Sequence, residues 1–184
     1  MDAFLSLPPQ SAEIFERLSK GLFISHNNPS GPTQNYFELI QKHEETYTAY
    51  FKLIGFQLEK GKGYYYFSKP ETKSQIEDKL EKLYRYLDSL EILYMLLPEL
   101  GVGDSIVIPE LTSKLDTDPV LKQKLMKLPL KGGVDAPLER LSLLCKNLEK
   151  ESFLSMTQEN PEQYLVLDAF LYLIQLIKRI DAHR

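Results

Sequence analysis

The segment Leu53–Lys69, LIGFQLEKGKGYYYFSK, leaves this chain few conformations to choose from. Phe56-Gln57-Leu58 alternates apolar and polar, Glu59–Gly63 carries turn chemistry, and Tyr64–Phe67 is an aromatic run that suits a pleated, half-buried surface better than a helix. Gly61 and Gly63 open positive φ to a hairpin turn at little cost. Upstream, Tyr36, Phe37, Leu39, Ile40, Tyr47, Tyr50, Phe51 and Ile54 recur at helical spacing, with a break expected around His43–Thr46. Helices that feed straight into a two-stranded hairpin are the element order of a winged helix. An ordinary helix–hairpin unit without a recognition role has the same order.

The rest of the first third agrees with this expectation. Ser11–Gly21 is a helix with Ser11 as N-cap, Glu13 in its first turn, Ile14, Phe15 and Leu18 on one face, and Gly21 just past its end. Leu22–Ile24 is a short edge strand, and His26–Thr33, HNNPSGPT, is a loop. A long helix follows, with Ser68 and Glu71 at capping-box spacing and Pro70 in its first turn. Its residues Ile76, Leu80, Leu83, Leu87, Leu90, Tyr94 and Leu97 form a heptad seam. Added apolar residues at Ile92, Leu93, Met95 and Leu96 require burial nearly all round, which fits a core helix between two domains better than a dimeric coiled coil. Pro98 ends it.

From Gly101 the order repeats: strand Ser105–Ile108, a helix opened by Pro109, a helix capped by Asp118-Pro119, and a helix from Asp135-Ala136-Pro137. A second hairpin follows, Phe153–Met156 and Tyr164–Leu167 about the turn TQENPEQ, and then a closing helix over Asp168–Ala182. The expected fold is mainly α with small β-hairpins (α+β). Tandem winged-helix domains at residues 1–69 and 101–184 are joined by a connecting helix over 70–100.

Chemistry is sparse. The chain holds one cysteine and three histidines in 184 residues and carries a formal net charge of −4, so it lacks the broadly basic footprint of a protein that binds nucleic acid by itself. No intrachain disulfide is possible, and Cys145 falls among leucines as a buried thiol. His43-Glu44-Glu45-Thr46-Tyr47 begins like a zinc-protease helix, yet Tyr47 stands where the second histidine must be. Gly61-Lys62-Gly63 lacks the Ser or Thr and the upstream glycine of a phosphate loop, and Gly101-Val102-Gly103 precedes a strand where a dinucleotide loop follows one. Asp116 and Asp118 could be imagined on a metal, but a helix cap accounts for Asp118. No nucleophile or acid–base constellation assembles, so no enzyme, metal or cofactor is expected. MDAFLSLPPQ is not a secretion signal and no apolar run reaches bilayer length, which points to the cytoplasm.

Basic residues do cluster locally. Lys60, Lys62 and Lys69 lie beside Tyr64 and Tyr66 on the first hairpin. Lys122, Lys124, Lys127 and Lys131 lie on or just beyond one helix, and Arg140 and Lys146 on the next. These are candidates for the DNA backbone, positioning without reading sequence, against the alternative of a solvated face. Glu159 and Glu162 on the second hairpin repel phosphate. Phe170, Ile174 and Ile177 on the closing helix are candidates for a partner or dimer interface, or for core.

Four strings, IFERLSKGLFIS (14–25), YTAYFKLIGFQLEKGKGYYYFS (47–68), GVGDSIVIPELTSKL (101–115) and YLVLDAFLYLIQLI (164–177), resemble the kleisin-interacting tandem winged-helix family. The resemblance is to its MukE/MksE-like subunits of bacterial condensin-like SMC complexes, whose relatives also occur in plasmid defence. These strings bear the fold and contain no catalytic signature. The resemblance implies a non-enzymatic homodimer that grips a kleisin subunit and, through it, an SMC ATPase. It further implies non-sequence-specific DNA contact at the nucleoid, with no membrane. The rival is a stand-alone winged-helix transcriptional regulator, which would want a more basic recognition helix than Tyr47–Ile54 or Pro137–Lys150 supplies.

Overall fold

Aromatic and leucine-rich faces sort the chain into two units, each built of helices against a three-stranded antiparallel sheet. The computed structural model describes residues 7–69, 73–130 and 132–181, without the side chains of 73–79 and 179–181. The first unit contains α1 (Ser11–Ser19), β1 (Ile24–Ser25), α2 (Thr33–Lys42), α3 (Glu44–Leu53), β2 (Gln57–Gly61) and β3 (Tyr64–Ser68). The connecting helix α4 runs over Lys73–Leu96. The second unit contains β4 (Ser105–Val107), a 3-10 turn over Ile108–Leu111, α5 (Thr112–Thr117), α6 (Pro119–Lys127), α7 (Pro137–Lys150), β5 (Leu154–Glu159), β6 (Glu162–Val166) and α8 (Phe170–Asp181). The fold is therefore α+β, helix-dominated with two small antiparallel sheets. Strand orders β1-β3-β2 and β4-β6-β5 are equivalent, each short edge strand pairing with the second strand of its hairpin.

The first core is aromatic. Phe51 and Tyr47 are fully buried, and Phe51 meets Phe15 and Phe67 at ring-centroid distances of 6.1 and 4.8 Å. Side chains of this size each contribute roughly 1.5–3 kcal/mol by leaving water. The first hairpin closes through a two-residue connection, Lys62-Gly63, because Gly61 pairs with Tyr64. A side chain at Gly61 is impossible without rearrangement, since a Cβ there would stand 2.0 Å from the Tyr64 ring.

Several local expectations change. Gln10 precedes α1 and no side chain caps it; the Ser11 hydroxyl turns back to donate to the Pro8 carbonyl (2.6 Å) and bonds the Tyr47 hydroxyl (2.8 Å). The first edge strand is Ile24–Ser25. Pro109 opens a 3-10 turn, with α5 beginning after it. The second hairpin runs three residues further than its turn-rich sequence suggests, pairing Glu159 with Glu162 across Asn160-Pro161, with an irregularity between Met156 and Gln158. Asp118 does cap α6, its Oδ1 accepting from the amides of Val120 (3.0 Å) and Leu121 (2.9 Å). The capping residues Pro70 and Glu71, together with Lys131 and His183, lie outside the described residues, as do the side chains of Ile76 and Ile180.

Along α4 the seam divides. Leu90, Ile92, Leu93 and Leu96 are buried in the second core, whereas Leu80 and Tyr84 are 46% and 56% exposed. The burial expected nearly all round holds over Ser89–Leu96, where Glu91 is the exposed residue.

Candidate interaction surfaces

Where backbone and packing place the basic side chains decides what each can touch. Lys60 on β2 reaches back to Glu44 at the start of α3 (2.6 Å), and the Tyr65 hydroxyl donates to the same carboxylate oxygen (2.7 Å). The hydrogen bond from Lys60 and the one from Tyr65 lower the Glu44 carboxyl, and Glu44 in turn raises Lys60. Burial and the bond to Glu44 push the Tyr65 phenol up to about 12. Lys60 is thus an ion-paired wall of the first unit, half exposed. Lys62 and Lys69 are exposed, as are Lys122 and Lys127 on α6. Lys124 ion-pairs with Glu91 of α4.

Arg140 does not face solvent. It is 9% exposed, and its guanidinium donates to the carbonyls of Leu125 (3.1 Å), Leu128 (2.5 Å) and Val134 (3.2 Å). A cation in the first turn of α7 therefore closes the last carbonyls of α6, where the helix dipole favours positive charge. It does not serve as a phosphate-facing candidate, because each of its three nitrogens donates to a backbone carbonyl and the side chain is buried. Tyr64 is likewise buried (2% exposed), so it is no platform beside the lysines.

The side of α7 that faces the second hairpin meets carboxylates. Glu162 of β6 accepts from Ser142 of α7 (2.7 Å) and from the Tyr164 hydroxyl, with Lys146 at 3.6 Å. Glu149 accepts from the Met156 amide (2.8 Å). Ser142, Lys146 and Glu149 of α7 thus face the second hairpin, the first two toward Glu162 and the third toward the Met156 amide.

Of the apolar candidates, Phe170 is fully buried and belongs to the second core, which corrects its place among interface residues. Ile174 and Ile177 are half-buried against the same core. Among the described residues the exposed large apolar side chains are others: Leu53 (73%) and Ile54 at the end of α3, Leu80 and Tyr84 on α4, and Val120 on α6. Sequence periodicity marks Leu80 as seam and Ile54 as helix face, but exposure depends on what packs there. A cleft of about 250 Å³ between α4 and α7 has Leu128, Pro129, Leu130 and Leu148 for its floor. Lys82, Arg85 and Lys150 stand on its rim, Lys82 paired with Glu151.

The motifs set aside on sequence stay within structural roles. Gly61-Lys62-Gly63 is the first hairpin's turn, and Cys145 is buried with its thiol pushed up by burial. Among the described residues no group of three or more His, Cys, Asp or Glu is placed to hold a metal ion, and no helix is long and apolar enough to cross a membrane.

No curated protein matches the chain. The family described as condensin complex protein MksE matches residues 9–177, a span that takes in both sheets and the helix between them. On that match, the chain belongs to the MksE family and is a condensin-complex subunit.

Proposed function

We propose that this chain is a dimeric, non-enzymatic subunit that binds the kleisin of a bacterial MksBEF- or MukBEF-type SMC complex, and through it the ATPase. There it would help hold DNA in chromosome organisation or in plasmid defence. The observation that carries this reading is a family match that spans two units, each with an edge strand, helices and a hairpin in that order. An edge strand, two or three helices and a hairpin in each unit, with the edge strand on the second hairpin strand, support a tandem winged-helix reading of residues 1–69 and 101–184 around a connecting helix. Exposed Leu53, Ile54, Leu80, Tyr84 and Val120 suit a subunit whose surface is covered by partners in the complex. For DNA, the exposed Lys62, Lys69, Lys122 and Lys127 are the remaining backbone candidates, with Lys60 and Lys124 tied to carboxylates in the free chain. Contact of this kind is non-sequence-specific and weakens with salt.

The test is purification of the tagged protein from its own cell with mass spectrometry of its companions. A kleisin and an SMC-type ATPase in stable ratio are expected, and a nuclease-like companion assigns the complex to plasmid defence. Recovery as a lone dimer on a defined DNA fragment would replace this reading with that of a winged-helix regulator.

A further inference from the structure

The loop after β1, seven residues of plain turn chemistry over 26–32, closes on the far unit. Asn27 behaves there as a strand edge would: its Nδ2 donates to the Val166 carbonyl (3.1 Å) while the Asp168 amide donates to its Oδ1 (2.8 Å). Its own amide donates to Asp168 Oδ2 (3.1 Å), and the Ala169 amide donates to Ser25 Oγ (3.2 Å). Further along the same seam, Ser30 and Ser155 share a hydroxyl bond (2.6 Å) and Arg17 donates to Ser152 Oγ (3.2 Å).

Beneath these bonds lies an aromatic layer drawn from both units. Phe23 meets Phe153 and Tyr172 at 5.2 and 5.1 Å, and Tyr66 meets Tyr172 at 5.1 Å. Phe23 and Tyr64 belong to the core of the second unit, not to that of their own. Polar groups satisfied on both sides of an apolar layer make an interface specific in register as well as stable.

The first hairpin's turn is part of this seam. The His26 amide donates to the Gly63 carbonyl (2.9 Å). Gly63 sits at φ +83°, and a Cβ there would stand 2.6 Å from Asp168 Cγ. Only glycine meets both demands, the positive φ and the close approach.

We infer that the Ser25–Asn27–Gly63–Asp168 seam is a rigid joint that fixes the two units at one angle, with the first hairpin's turn as one of its structural parts. Surfaces on the two units then act as one, whatever partner they meet, and the inference stands independently of the kleisin reading.

Spin labels on Lys52→Cys and Lys127→Cys, both exposed and one in each unit, report the angle by electron–electron distance measurement on the full chain, with the labelled chain diluted in excess unlabelled chain so that only distances within one chain are read. Cys145, fully buried, stays unlabelled. The parent should give one narrow distance distribution, and Asn27→Ala should broaden it with helix content unchanged. Gly63→Ala should broaden it too and lower the melting temperature by more than Gly21→Ala. That glycine shares the positive φ (+77°) but has open space around it. A broad distribution in the parent overturns the joint. So does a narrow distribution in Asn27→Ala, and equal losses at Gly63 and Gly21 remove the turn from it. If Gly63→Ala does not fold, the Asn27→Ala result decides.

Discussion

Replacing Arg140 with alanine should destabilise the second unit severely and leave DNA contact to other residues. The side chain makes three hydrogen bonds to carbonyls, two of them fully buried. Charge-assisted bonds contribute about 1.5–3 kcal/mol each, and a buried acceptor left without a donor costs about 1–3 kcal/mol. Here the loss is moderated, because the Leu125 and Leu128 carbonyls keep second donors from the Leu128 and Leu130 amides. A net loss of about 2–4 kcal/mol results, and at roughly 2–4 °C per kcal/mol for a chain of this size the melting temperature should fall by about 5–15 °C. Thermal unfolding followed by far-UV circular dichroism measures this directly. Arg140→Lys should recover little, since an ammonium cannot present the planar fork that reaches three carbonyls. A melting temperature within about 2 °C of the parent would refute the inward assignment. A DNA-binding defect at unchanged stability would return Arg140 to the surface.

Three further outcomes follow from named contacts. Asp118→Ala removes the acceptor for two amides at the start of α6 and should cost about 1 kcal/mol, a fall of roughly 2–4 °C in the same assay. Cys145 should resist a thiol-reactive dye such as DTNB in the native protein and react fully in guanidinium, because burial disfavours its thiolate; rapid native reaction would contradict the packing of α7. Glu44→Gln should show pH-dependent destabilisation. The Glu44 carboxyl is lowered in the fold, so its contribution is present above the unfolded value near 4.5 and is lost as pH falls through the lower folded value. With both partners part-exposed the effect at pH 7 is below about 1 kcal/mol, and the gap between variant and parent in urea titrations should close as the pH is lowered toward 3. A gap that widened on acidification would reverse the assigned sign.

What could be read from the sequence was local. Helical spacing in Tyr36–Ile54 and Leu83–Leu97, the Asp118-Pro119 cap, the break at His43 and the aromatic strand Tyr64–Phe67 all depend on neighbours within a turn or a hairpin, and the helices and strands form there. The edge strand and hairpin of each unit were legible for the same reason, though the second unit sets three helices where the first has two, and so was the resemblance that the family match bears out.

Which faces are covered was decided elsewhere in the chain. Arg140 looks like any helix cation until α6 ends against it, and Phe170 and Tyr64 look as available as Leu53 until the two units close. Asn27 sits in a loop whose composition says only turn, yet its partner Asp168 is 141 residues away. Periodicity fixes which residues share a face, because backbone geometry sets it within a few residues. Burial and pairing are set by long-range packing, which no local pattern encodes.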